Sequence, residues 1–425
     1  VTFRNAGLQS AQAHYAAIVV PETMLMPEPS LAKLVQLAED GATIVVLKQL
    51  PHDAPGLYAS LQDDSTNVDA GRTPTSPLAP LLAKIQAHAS VADGLTTAPV
   101  GRGKFLIGND LVALLAHQAA VAHETMRTLG LEFVRRRTGD GFIYFIANRS
   151  TQPVAAWVPL LASAASAALY DPMTGQSGLA AFHPASRQPA ADKSAGASAS
   201  PALPTTTPAA GRGSEIYLQL QPGASVIAQL YSSVLAAAPW TYWQPAGQAQ
   251  PLSDDWSVHF VRGGPDLPAE TTVTTLKSWT EFGGELVKSF SGTAEYSLHF
   301  ERPAGDAPAY ELDLGTVADS ARVKLNGREI AALVQAPWRV VLPASALLAQ
   351  NTLVVEVTNL AANRIADLDR RGVPWKKFYN VNMPAHEREN MGPDKLFSAA
   401  RWIPRNSGLL GPVMLTPLHA FAPDR

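Results

Sequence analysis

The apolar positions of this chain change period near residue 131. Before that point they occur in short unbroken runs and at helical spacing; after it they alternate with polar positions. HYAAIVV (14–20) is an apolar run closed by Pro21, the pattern of a strand buried on both faces. SLAKLVQLAEDG (30–41) follows with Leu31, Leu34, Val35 and Ala38 on one helical face, Ser30 placed to cap its start and Gly41 to stop it. ATIVVL (42–47) is a second buried strand, so strand, helix and strand make a βαβ unit with parallel strands. KFLIG (104–108) predicts another strand, and NDLVALLAHQAAV a helix capped by Asn109. This third of the chain is α/β.

From residue 131 the period is two. FVRRRTGDGFIYFIANRS (133–150) predicts two strands around Gly139-Asp140-Gly141. EIYLQLQPGASVIAQLYS (215–232) predicts two more, joined at Pro222-Gly223. Further on, Tyr296, Leu298 and Phe300 share a face, as do Tyr310, Leu312 and Leu314. RVKLNGREI predicts a hairpin whose Asn326-Gly327 suits a type I′ turn, which needs positive φ at both central residues. NTLVVEVTN places Leu353, Val355 and Val357 inward, with Glu356 and Thr358 outward. Short antiparallel strands at this spacing predict a sandwich or jelly roll. Residues 184–214 break the pattern. They are mostly Ala, Pro, Ser, Thr and Gly, with Leu203 the only large aliphatic, too little to offset the ordering entropy. Strand-like sequence resumes beyond them, so they are expected to form a mobile insertion within a β-domain.

Composition narrows the chemistry. The 425 residues allow about three domains at ordinary domain sizes. There is no cysteine, which excludes a thiolate nucleophile, Cys-ligated zinc, an iron–sulfur cluster and disulfides. A net charge of -3 lacks the basic footprint of a nucleic-acid binder. TQPVAAWVPLLASAASAALY (151–170) is uncharged, but its Ala and Ser content, Pro159 and the following turn-rich segment predict a strand and loop, not a membrane span. The chain begins at Val1 inside what reads as a fold, so a longer protein is expected, with any signal peptide upstream.

Motifs for known chemistries fail on spacing. Gly101-Arg102-Gly103 precedes a strand instead of following one, so it reads as a tight loop and not a dinucleotide fingerprint. His123-Glu124 and His386-Glu387 begin like zincin helices, yet Arg127 and Asn390 stand where the second histidine belongs. Arg135, Arg136 and Arg137 form the sharpest basic cluster, read as a solvated or interface face. Acidic pairs such as Asp254 with Asp255, Asp367 with Asp369 and Glu387 with Glu389 are of the residue type that hydrolyses glycosides, but nothing in their spacing marks them as catalytic. Aromatic residues carry more. Sugar rings stack on exposed indole faces through their C–H surfaces, and Trp279, Trp338, Trp375, Tyr379 and Trp402 lie at predicted loops or strand ends. Trp279 and Trp338 are expected to plug the sandwich core. Trp375, Tyr379 and Trp402 are the candidates for contact with sugar or with a neighbouring domain.

In order, GRGKFLIGNDLVALL, the hairpin FVRRRTGDGFIYFIANRS and ALYDPMTGQ resemble the region downstream of the catalytic barrel in glycoside hydrolase family 106, the bacterial α-L-rhamnosidases. SWTEFGGELVKSFSGTAEYSLHF, LDLGTVADSARVKLNGREI, NTLVVEVTNLAANRIADLD and SGLLGPVML continue the match, and this last part also resembles the galactose-binding-like jelly rolls of family 2 glycosidases. The resemblance implies hydrolysis of terminal α-L-rhamnose with inversion, by two carboxylates and a calcium ion carried on a barrel expected before Val1. No segment here matches those residues, so no catalytic residue, metal ligand or cofactor is assigned to this chain. The expected architecture is a Rossmann- or flavodoxin-like α/β segment over 1–130, a β-sandwich over 131–250 containing the insertion 184–214, and a galactose-binding-like jelly roll over 251–425. Its expected partners are rhamnose-containing glycosides and the barrel of the same enzyme, with no nucleic acid or membrane, in the periplasm or outside the cell. The alternative is a stand-alone carbohydrate-binding or scaffold protein.

Overall fold

The computed structural model describes residues 2–4, 7–10, 13–55, 76–92, 94–117, 123–184, 213–376, 387–393 and 395–424. These fall into two compact units, Val1–Glu124 and Thr125–Arg425. Most of the insertion 184–214, and Tyr379, lie outside the described residues.

The first unit opens with a small antiparallel sheet, β1 (Thr2–Arg4), β2 (Gly7–Ser10) and β3 (Ala13–Tyr15). Then come β4 (Ala17–Val20), α1 (Glu28–Asp40), β5 (Thr43–Leu47), α2 (Ala79–Gln86), β6 (Ser90–Ala92), β7 (Leu95–Val100), β8 (Gly103–Gly108) and α3 (Leu111–His117). The five larger-sheet strands run β4-β5-β8-β7-β6, parallel from β4 to β8 and antiparallel beyond. Both faces are covered, which is why β5 has no polar alternation. Ile44, Val46 and Phe105 pack with Leu31, Val35 and Ala38 of α1 and Ile85 of α2, while Val45 and Leu106 pack with Leu114 of α3. The apolar run at 14–20 is not one strand: it is divided between β3 and β4 at Ala16. α1 starts two residues before Ser30, behind Pro27, because Pro29 in the first turn is preset for helical φ. α3 is capped by Asp110, whose Oδ1 accepts from Val112 N (2.9 Å) and Ala113 N (3.2 Å), and not by Asn109. Gly101 and Arg102 form the turn between β7 and β8, and at Gly103 a Cβ would stand 2.2 Å from the Ala42 carbonyl oxygen.

The second unit holds two sandwiches. The strands of the first are β9 (Leu131–Thr138), β10 (Gly141–Asn148), β11 (Val154–Pro159), β12 (Ser166–Tyr170), β13 (Ser177–Leu179), β14 (Phe182–His183), β15 (Glu215–Leu220) and β16 (Ser225–Tyr231). Sheet β13-β12-β16-β10-β9 faces sheet β11-β15-β14 across Tyr144, Ile146, Leu169, Ile216, Leu218 and Leu230. The predicted hairpin is β9–β10, turning at Gly139-Asp140. β15 and β16 are not a hairpin. The chain arches from one sheet to the other at Pro222-Gly223, so their inward residues meet across the core. The uncharged stretch 151–170 forms β11 and β12, and no helix among the described residues is long and apolar enough to cross a membrane. The ends of the insertion are the paired strands β14 and β15, within one sheet.

The second sandwich comprises β17 (Tyr242–Pro245), β18 (Gln250–Pro251), β19 (Trp256–Gly264), β20 (Thr271–Val273), α4 (Glu285–Ser289), β21 (Ser291–Glu301), β22 (Ala309–Asp313), β23 (Thr316–Ala318), β24 (Ser320–Leu325), β25 (Arg328–Leu333), β26 (Arg339–Pro343), β27 (Gln350–Thr358), α5 (Ala362–Arg370), β28 (Gly408–Gly411) and β29 (Met414–Phe421). Its sheets are β17-β29-β22-β26 and β20-β19-β21-β27-β24-β25. The alternating positions read from the sequence are the core: Tyr296, Leu298, Tyr310, Leu312, Leu353, Val355 and Val357 are all buried. Trp279 is fully buried and packs edge-to-face on Phe260 and Phe290 at 5.6 and 5.8 Å, contacts worth about 0.5–1.5 kcal/mol each beyond area burial. Trp338 packs against the same core, so both indoles plug it as expected. Asn326 and Gly327 have φ of 53° and 78°, as a type I′ turn requires.

Candidate functional site

The candidate residues cluster around α5. This helix buries Asn363 and Ala366 and directs its polar side chains into two loops, 371–376 and 397–405. Asn363 holds the second loop by both backbone groups of Arg405, donating to its carbonyl at 2.9 Å and accepting from its N–H at 2.8 Å. Ser407, next along, donates its N–H to Ser278 Oγ at 3.0 Å and accepts at its hydroxyl from Asn359 Nδ2 at 2.9 Å. These buried side chains are satisfied by one another, so the loop is fixed to the sandwich core through a polar network.

Asp369 organises the other end of α5. Its side chain is only 7% exposed. Oδ1 accepts the indole N–H of Trp375 at 2.6 Å and lies 3.3 Å from the Lys376 ammonium, and Oδ2 accepts the Ala399 N–H at 2.7 Å. Arg370 donates to the carbonyls of Ala400 and Trp402, each at 3.2 Å. Trp402 donates its indole N–H to Asn390 Oδ1 at 2.8 Å and packs edge-on against Phe397, 5.7 Å between centroids. Lys376 lies over the rings of both Trp375 and Phe397, and Arg405 lies 5.9 Å from the Trp402 ring. Trp375 and Trp402, remote in the sequence reading, therefore belong to one half-buried cluster bridged by Phe397 and Lys376.

The indole N–H groups are engaged within the protein, and the carboxylates are held by cations. Asp367 is bound by Arg364 (3.2 Å) and Arg371 (2.8 Å), as Asp369 is by Lys376. The half-buried rings, rimmed by cations, are what the cluster offers a sugar face or a neighbouring protein surface. Of the other sequence candidates, Glu387 and Glu389 lie on the turn whose Asn390 holds Trp402, while the rest belong to other elements. Asp254 and Asp255 are in the exposed turn before β19. Arg135 lays its guanidinium 5.6 Å from the Phe142 ring and 6.0 Å from that of Tyr144, while Arg136 and Arg137 are exposed on β9. Among the described residues no group of three His, Asp or Glu side chains could hold a metal ion.

Sequence reasoning missed an aromatic seam between the two sandwiches. Trp157 stacks on His183 at 3.8 Å and meets Tyr217 edge-on. Tyr217 in turn packs edge-on against Tyr242 and Phe421. Gln219 completes the seam by pairing with both backbone groups of Trp243, at 2.9 and 3.0 Å. Burial pushes the Tyr242 hydroxyl up to about 12, and its hydrogen bond from the Ala181 N–H pulls the other way. The only sequence signal was the outward alternation of Trp157, Tyr217 and Gln219 along their strands.

Comparison with known proteins places this architecture. A family model described as alpha-L-rhamnosidase, glycoside hydrolase 106, matches residues 4–183. That stretch is similar to glycoside hydrolase family 106. The family segment thus spans the α/β unit and the first sandwich as far as β14. The rhamnosidase from Novosphingobium sp. PP1Y shares the fold over 94% of this chain, with a TM-score of 0.52 and 22% identity, and the match covers 33% of that structure. A curated protein of Formosa agariphila, named "Putative beta-glucuronidase", is 33% identical over 214 residues, 46% of this chain and 18% of its own length. A beta-glucuronidase of Bifidobacterium dentium matches over 40% of this chain and 30% of that structure, with 17% identity and a TM-score of 0.28. The chain thus spans about a third or less of each of these proteins.

Proposed function

We propose that this chain is the accessory part of a glycoside hydrolase that releases terminal α-L-rhamnose from glycosides. The observation that carries the reading is a double one. Nearly the whole chain follows the fold of a rhamnosidase while matching only a third of it, and the family model matches residues 4–183. The remaining two thirds of such an enzyme leave room for the barrel on which the catalytic carboxylates and the family's calcium would sit.

On this reading the α/β segment over 1–130 is flavodoxin-like, 131–250 is a sandwich carrying the insertion 184–214, and 251–425 is a galactose-binding-like jelly roll. The role of the three is to buttress the barrel, and Trp375, Tyr379 and Trp402 are the candidates for contact with the glycoside or with that neighbouring domain. An exported enzyme, periplasmic or secreted, fits a glycan substrate. The test is hydrolysis of an aryl α-L-rhamnoside by this chain and by the longer protein that contains it. Turnover by the longer protein alone is expected; turnover by the isolated chain would overturn the accessory role.

A further inference from the structure

A groove of about 260 Å³ crosses the outer face of the six-stranded sheet. A β-bulge makes it. Along β19, Trp256, Val258 and Phe260 point inward, and unbroken alternation would send Arg262 into the core. The register with β21 shifts instead: Phe260 pairs with Ala294, Arg262 pairs with Thr293, and Val261 is left over. The extra residue re-aims Arg262 to the outer face, the usual effect of a bulge. A second shift, between Val323 and Lys324 of β24, distorts the other side of the same sheet.

The groove is lined by Arg262, Arg322, Glu356 and the side chains of Thr293, Ser320 and Thr358, with Ala332 and Val334 at one side. Most of its charges are matched within the protein. Lys324 pairs with Glu356 and stands near Glu295, and Arg322 lies 3.5 Å from Glu329. Arg262 lines the groove as an exposed guanidinium outside these pairs. A guanidinium fork beside a row of hydroxyls and small apolar side chains suits a sugar ring that carries a carboxylate. The fork binds the carboxylate in two places. The Thr293 and Thr358 hydroxyls bond each other at 2.8 Å and Ser320 donates to the Thr358 carbonyl, so their oxygens, with Glu356, accept from the ring hydroxyls while the aliphatic side takes the C–H face. The volume is below that of drug-sized pockets and fits about one such ring.

We infer that this groove is a binding subsite for a carboxylated sugar unit of a glycan, with Arg262 as the carboxylate's partner. The inference rests on the proposed role in glycan breakdown, but it is tested without any hydrolysis. Calorimetric titration of the full chain with trigalacturonate, and with the same trisaccharide as its trimethyl ester, reads it directly. Trigalacturonate is expected to bind at least tenfold more tightly than the ester. Arg262→Gln, at an exposed position, and Val334→Glu, which sets a carboxylate at the groove's rim, are each expected to weaken binding tenfold or more while the unfolding temperature stays within about a degree. No binding of trigalacturonate, equal binding of the ester, or wild-type affinity in either variant would overturn the inference. Rhamnosidase activity of the longer protein would leave the proposed function standing in each of those cases.

Discussion

The carboxylate of Asp369 accepts the indole N–H of Trp375 and the backbone N–H of Ala399, one on each oxygen. One side chain thereby fixes two loops that are separated by more than twenty residues of sequence. Asp369→Ala leaves both donors without their acceptor and Lys376 without its counter-charge, at about 1–3 kcal/mol for each buried donor stranded. Asp369→Asn keeps one acceptor and is expected to lose less. Urea unfolding followed by tryptophan fluorescence checks this: the midpoints should order wild type, Asn, Ala, and a red-shifted native emission should accompany the Ala variant as Trp375 gains water.

How much of this was legible beforehand depends on the range of the interactions involved. The I′ turn at Asn326-Gly327 and the inward faces of β21, β22 and β27 were readable because local propensity and period two decide them. The buried character of β5 was readable because parallel strands covered on both faces lose alternation. The arch between β15 and β16 was not, since Pro-Gly punctuates a hairpin and an arch alike. Nor was the re-aiming of Arg262, which follows from one unpaired residue whose partner strand lies elsewhere in the chain. Trp375 and Trp402 could be picked out as aromatic residues near loops. Their common anchoring through α5 could not, because Asp369 and Asn363 act on partners 30 and 42 residues away.

Gly408 begins β28 with φ of 99°, and a Cβ there would stand 2.2 Å from the Tyr296 hydroxyl and 2.7 Å from Trp279 Cε3. Gly408→Ala therefore combines left-handed backbone strain with overpacking of rings that cannot yield. A loss of about 3 kcal/mol or more is expected, measured as the shift in denaturation midpoint. A change below about 1 kcal/mol would mean that the β23–β28 pair moves freely away from the core.

Glu311 and Asp313 share Arg339, at 3.2 and 2.8 Å. Burial pushes the Glu311 carboxyl above its usual range, and the neighbouring Asp313 adds to the rise while Arg339 opposes it. A carboxyl with a raised folded-state pKa holds its proton more tightly in the native protein. It costs nothing below its unfolded value and destabilises progressively as pH rises through the folded one. Glu311→Gln is thus expected to be as stable as wild type near pH 4 and equally or more stable at pH 7. Thermal melts at the two pH values check it, and a variant weaker only at pH 7 would show that the Arg339 pair outweighs the burial.

Gln219 substitutes for a strand partner by pairing with both backbone groups of Trp243. Gln219→Ala should cost about 1–2 kcal/mol and should loosen the seam around Tyr217, Tyr242 and Phe421. Hydrogen exchange should show faster exchange of the Trp243 amide than in wild type, with the Leu230 amide in β16 unchanged.

The strand β29 lies between β17 and β22, whose residues precede their partners in it by more than 170 and more than 100 residues respectively. Until β29 is present, β17 has no strand partner and β22 has only β26 among the described residues. During synthesis the second sandwich must therefore wait, half-built and with its apolar inner face uncovered, for its last-made strand. In that interval the sandwich is open to aggregation, and the yield of folded sandwich should depend on how quickly β29 follows the rest.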